Sequence, residues 1–378
     1  LYSISRKDIT SHLFSFSSIN LIIGWGRDFY FIKIFCFILI GLLSLLIVLS
    51  TKKFRFNKLV FMLFISVMVS YLFHFYQNYL GMNAINFLIK SVLPIFFGII
   101  VYNAVPYINK SIFVKYLKLF LLLTILFVIM QFFGMWSINT FFFANDMIEN
   151  IQNTTNYVGI SSSPFYMGSQ LAIITPIILG YSNRTKLVTF LFILTSYFSG
   201  QRAYFLSILF YSLRSRINIF YSIFLMIFFF IVSIYLMQSQ YFSFIFRGYD
   251  FDRIILYFAG INYILEYPFG VGGFAEYKEN VGLVSSSNEF LSSYLGKVSS
   301  VPAPHNFLIN SAMIHGVLIL FPLGYFLVKI YQLNNLFSWG FLLGVIVSMF
   351  HNLSFIYGDF FSWIILAFSL TNKNDRKF

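Results

Sequence analysis

Long, unbroken apolar runs constrain this chain more than any other feature. "IFCFILIGLLSLLIVLS" (34–50) and "LFLLLTILFVIMQFF" (119–133) are two examples. As helices, runs of this kind cross about 30 Å of hydrocarbon. Inside hydrocarbon every backbone N–H and C=O needs an internal partner, which leaves only helices and closed barrels. The runs do not alternate apolar with polar residues, which argues against a barrel and for helices. Composition agrees: 59% of the residues are hydrophobic and 10% charged, against about a quarter charged in soluble domains. The reading is an all-α polytopic membrane protein.

About twelve segments qualify: 13–26, 29–50, 59–76, 87–107, 117–135, 165–181, 187–199, 203–213, 217–237, 305–330, 336–350 and 356–370. The first, seventh, eighth and last are short enough to be tilted, broken or re-entrant. Arg6 and Lys7 precede the first, which reads as an uncleaved start. Lys and Arg then give orientation. The N-terminus, alternate connections and the C-terminus carry seventeen bases and two acids, and the opposite side six bases and ten acids. The basic side is therefore expected to be cytoplasmic. The net charge of +13 reflects this bias and attraction to anionic lipid, not nucleic-acid binding. The single cysteine, Cys36, rules out a disulfide within these residues and any cysteine cluster for a metal.

One connection stands apart. Residues 238–304 form a long outer loop between N-terminal helices (1–237) and C-terminal helices (305–378), one integrated membrane domain in all. Long ordered loops usually carry function. Within this one, "RGYDFDRIILYFAGINYILEYPFGVGGF" (247–274) repeats Ile254, Tyr257, Phe258, Ile261, Ile264 and Leu265 at helical spacing. That pattern predicts an amphipathic helix on the outer membrane surface, capped by Asp250 or Asp252 and ended by Pro268 and Gly270. Arg253 then falls in its first turn, where the helix dipole disfavours a cation. It either snorkels to headgroups or holds an anion such as a diphosphate together with the free amides there.

Other chemistry-bearing residues are few. Arg202 in "SYFSGQRAYFLSI" sits between two short apolar segments, and ionisable groups in such places are usually functional. His305 follows Pro302 and Pro304 at the mouth of a long apolar segment, and an imidazole there can take or give a proton near neutral pH. Asn306 stands ready to orient it or a substrate. His315 lies ten residues further along, and His351 and Asp359 flank the last outer turn as a possible pair. "DFD" (250–252) reads as a helix cap rather than a metal-holding D-x-D, and "GVGG" (270–273) has the wrong spacing for a dinucleotide loop.

Taken in order, "SGQRAYFLSILF" (199–210), "DRIILYFAGINYILEYPFGVGGF" (252–274) and "HNFLINSAMIHGVLILFPLGYFL" (305–327) resemble the O-antigen polymerase and O-antigen ligase superfamily of bacterial envelopes. Gln201 stands where that family has a small residue, and His315 where it often has an acid before Gly316. The resemblance implies transfer of a glycan from an undecaprenyl diphosphate carrier to an acceptor hydroxyl, on the periplasmic face of the inner membrane, with no metal, nucleotide or cofactor. It implies that Arg202 and Arg253 hold the diphosphate and that His305 is the base, with Arg247, Asn306 and His315 as substrate-binding candidates. Membrane lipids and a chain-length regulator would be its partners. A polymerase joining lipid-linked repeat units is favoured over a ligase delivering the finished chain to lipid A-core. A lipid-linked oligosaccharide flippase or transporter is the reading from another class. Lys33 and Lys90 suit it, whereas the long loop and the absence of an evident inverted repeat argue against it.

Overall fold

The computed structural model describes residues 6–76, 82–135, 157–161, 163–199, 248–271, 306–349 and 359–371, with 204, 205, 208, 211, 304 and 355 as single positions. Every extended element among them is helical, with no strand. The helices are α1 (Arg6–Ile22), α2 (Tyr30–Thr51), α3 (Lys58–Tyr76), α4 (Met82–Ala104), α5 (Lys110–Phe132), α6 (Pro164–Gly180), α7 (Thr185–Ser199), α8 (Gly248–Glu266), α9 (Phe307–His315), α10 (Leu320–Leu333), α11 (Leu336–Ser348) and α12 (Phe360–Thr371). Three stretches among the described residues are long and apolar enough to cross a membrane: Arg27–Thr51, Leu88–Tyr107 and Lys110–Phe132. Shorter apolar helices accompany them, including Lys58–His74, Val317–Leu333 and Leu336–Ser348. The expected segment 217–237 lies outside the described residues, and 203–213 is described only at isolated positions.

Local chemistry explains the boundaries. Asn109 caps α5 by accepting from the Ser111 amide at 3.0 Å. Asn335 and Ser338 close a reciprocal capping box at the start of α11. The preceding Asn334 takes the left-handed conformation that ends α10 (φ 46°).

At the centre, α11 lies along α6 and α12 along α4. Glycine makes both contacts possible. A Cβ on Gly344 would stand 2.6 Å from Ile173 Cγ1, and one on Gly340 would run into the Ile173 carbonyl oxygen. A Cβ on Gly98 would enter the indole of Trp363. Among apolar helices in lipid, small residues of this kind mark the interfaces. The first expected segment, 13–26, belongs largely to α1. This helix turns buried Ser11, Ser15, Ser17 and Ser18 inward and packs on α2, α5 and α12.

A buried amide fixes the entry to α6. Gln131 Oε1 accepts from the amides of Val158 and Gly159 at 2.9 and 3.1 Å, while its Nε2 donates to the Gly159 carbonyl at 2.9 Å. Ser161 then donates to Gln170, which donates to the Ile22 carbonyl. Residues 157–161 are thus tied to α1, α5 and α6 together.

Candidate functional site

The expected loop helix exists, but its details differ. α8 begins at Gly248, so Asp250 and Asp252 lie inside its first two turns rather than capping it. Arg253 is the sixth residue of the helix, beyond the first turn, so its conflict with the helix dipole disappears. Much of the expected apolar stripe points away from the protein, as a helix lying on a membrane surface requires. Leu256, Ala259, Gly260 and Tyr263 are buried, whereas Phe258, Ile261 and Leu265 are 44%, 45% and 74% exposed. The buried face is the one carrying the small residues, which permit close approach: a Cβ on Gly260 would lie 2.5 Å from Ile309 Cγ2. The large apolar residues Phe258, Ile261 and Leu265 point outward.

The partner of α8 is α9. Tyr257 Oη and Asn306 Nδ2 both donate to the Met349 carbonyl, at 3.4 and 3.1 Å. Three residues further along α8, Gly260 meets Ile309, and just beyond its end the Pro268 carbonyl accepts from the Val317 amide at 2.8 Å. The two helices therefore run side by side in the same direction, with their N-termini at one end. Asn306 caps α9, its Oδ1 accepting from the amides of Leu308 and Ile309 at 2.9 and 3.1 Å. Each polar atom of its side chain is thus engaged with backbone.

The long segment expected over 305–330 is broken at Gly316 (φ 86°), between α9 and the short turn that leads into α10. The turn ending α8 fills that break. Val271 N–H donates to the Met313 carbonyl at 3.3 Å and Gly270 N–H to the Tyr267 carbonyl at 2.9 Å. Two motifs separated by a long stretch of chain thereby become one structural unit.

α3 closes the unit from the other side. His74 Nε2 donates to the Phe269 carbonyl at 3.2 Å, and the rings of Phe73 and Phe269 stack with centroids 5.6 Å apart. Ser70 Oγ donates to the Val67 carbonyl at 2.7 Å and lies 3.0 Å from His315 Nδ1. With its one proton so placed, Ser70 accepts from His315 Nδ1–H. Tyr71 stands between the imidazoles, edge-on to His74 at 5.1 Å and to His315 at 5.5 Å. A cavity of about 330 Å³ lies alongside, walled by Val69, Phe73, Phe269, Leu318 and Pro322, with Ser70 and His315 in its lining.

His315 is thus a buried partner of Ser70, 3% exposed, in the lining of this cavity. His74, Ser70 and Tyr71 are contributions the motifs did not single out. The available signal was an imidazole near the end of an otherwise apolar helix.

Arg202, Arg247, His305 and His351 lie outside the described residues, and of Arg253 only the backbone position is described. Asp359 accepts from the Ser362 amide at 3.2 Å and from the Ser362 hydroxyl, starting α12. Lys33 of α2 is close enough to Asp359 for direct electrostatic attraction. Among the described residues, no three His, Cys, Asp or Glu come together as metal ligands.

Compared with known proteins, the chain matches no family model, and no curated sequence matches it.

Proposed function

We propose that this protein is a polysaccharide polymerase of a bacterial inner membrane, crossing it about twelve times. It transfers a growing glycan from undecaprenyl diphosphate to another lipid-linked repeat unit at the periplasmic face. The observation that carries this reading is the parallel docking of α8 on α9. The two helices carry two of the three motifs of the family resemblance, and their docking brings those two motifs together. Arg253 is one helical turn before Tyr257, about 6 Å along the axis. Tyr257 shares the Met349 carbonyl with Asn306, the neighbour of His305.

The chemistry needs little more than charge and a base. The bond between the anomeric carbon and the diphosphate oxygen breaks, and its electron pair leaves on the diphosphate. The acceptor hydroxyl oxygen forms the new bond to that carbon and gives its proton to His305. Arg253 and Arg202 stabilise the charge growing on the leaving group, where a guanidinium matches phosphate oxygens in a bidentate way. Arg247 and Asn306 flank the substrate. The charge split between the two sides supports an active site facing away from the cytoplasm.

The test is turnover of purified lipid-linked repeat units by the full chain, with cells read for laddering of their surface polysaccharide. A single repeat unit on the core in cells lacking the gene supports a polymerase. Accumulated carrier-linked chains would indicate a ligase instead, and units trapped inside would indicate a flippase.

A further inference from the structure

The chain between the end of the α8 turn and the start of α9 is long, covering residues 272–305. Among the described residues, contacts hold α8 against α9. Packing at Gly260 and the hydrogen bonds from Val317 to Pro268 and from Val271 to Met313 join the two elements to each other. The Phe269 carbonyl and ring join them to a third, through His74 and Phe73 of α3. In the turn from Pro268 to Val271, the Pro268 carbonyl and the Gly270 and Val271 amides pair with backbone, whereas the Phe269 carbonyl pairs with a side chain. That side chain is fully buried.

We propose that His74 is a positioning residue for glycan transfer. Its Nε2–H holds the Pro268–Gly270 turn in the helix break at Gly316 and so sets α8 against α9. The catalytic consequence rests on the reading above; the latch itself does not. His74 lies near the end of α3, while Arg253 lies fourteen residues upstream of Tyr267 on α8. The histidine therefore acts through the backbone of the turn and not by touching substrate. Releasing the turn leaves the diphosphate-binding helix and the base-bearing entrance to α9 free to shift relative to one another. Misplacement of that kind lowers the rate of the chemical step more than it weakens donor binding.

Three variants of the full-length protein in detergent or nanodiscs separate the possibilities. H74F keeps a flat ring without a donor. H74Q keeps an amide N–H at the reach of Nε2, and H74N carries the same amide one methylene short. Hydrogen exchange at the amides of Val317 and Val271 reads the latch. H74F and H74N are expected to speed it about 5- to 100-fold, the range for a buried carbonyl left without its donor, with H74Q near the parent protein. The Trp339 amide in α11, bonded to Asn335, should exchange as before in all three. With lipid-linked repeat units as substrate, kcat should fall about tenfold or more in H74F and H74N at little-changed KM, and H74Q should restore it.

Unchanged exchange at Val317 and Val271 in H74F overturns the latch. If H74F does not accumulate, equal exchange in H74Q and H74N does the same. Faster exchange at full kcat overturns the positioning role. Faster exchange in a protein whose parent form transfers no glycan supports the latch and overturns the polymerase reading instead.

Discussion

Gly270 and Gly316 lie where two backbone segments press together, so that neither has room for a side chain. A Cβ on Gly316 would lie 2.6 Å from the Phe269 carbonyl oxygen, and one on Gly270 would lie 2.7 Å from that of Ile314. Both residues also have positive φ, 75° and 86°, a region that a Cβ disfavours. Gly270→Ala and Gly316→Ala are therefore each expected to destabilise the protein by at least about 1–3 kcal/mol. Thermal unfolding of the purified protein measures this, and melting points equal to that of the parent would show that the break is not packed as described.

His315 and Ser70 come from helices 245 positions apart in sequence yet share one hydrogen bond at 3.0 Å. His315→Ala should cost about 1–3 kcal/mol by leaving a buried polar group without its partner. The Ser70→Ala, His315→Ala double variant should cost clearly less than the sum of the single ones, because the same interaction is removed twice. A full double-mutant cycle on unfolding checks it. Strict additivity would mean the two side chains do not act together.

Gln131 supports residues 157–161 through three hydrogen bonds to backbone. Leucine fits the surrounding apolar helices but offers neither donor nor acceptor. Gln131→Leu should lower stability by about 1–3 kcal/mol for each backbone group it leaves buried and unpaired. A melting point within error of the parent would show that the loop finds other partners.

Arg253→Ala should abolish glycan transfer at normal protein abundance, and Arg253→Lys should rescue only part of it, since an ammonium lacks the bidentate fork. His305→Ala should slow transfer about 10²–10⁴-fold, the usual contribution of a general base. Normal laddering in either alanine variant removes that residue from the site.

Topology can be read independently of chemistry. Reporter fusions at Arg214 and Ser287 should respond as cytoplasmic and non-cytoplasmic respectively, following the distribution of Lys and Arg. The opposite pattern would invert the orientation and take the proposed site off the periplasmic face.

The helical class was legible in the sequence because continuous apolar runs leave the backbone no other way to satisfy itself in hydrocarbon. The end of α8 was legible too, since Pro268 and Gly270 are local signals. The buried face of α8 was not. The sequence pattern marks Phe258, Ile261 and Leu265 as the apolar stripe, and these do point outward, but it gives no sign that Ala259 and Gly260 are the buried face, with Gly260 against Ile309 of α9. Where the surroundings are themselves apolar, hydrophobicity no longer distinguishes inside from outside, and close packing of small residues decides. The break at Gly316 likewise carries no sign of its occupant. Only tertiary structure placed Phe269 in it and brought His74 to the Phe269 carbonyl, 195 positions away in sequence. A hydrogen bond at that separation depends on how α3, α8 and α9 pack together, which no periodicity within any one of them records.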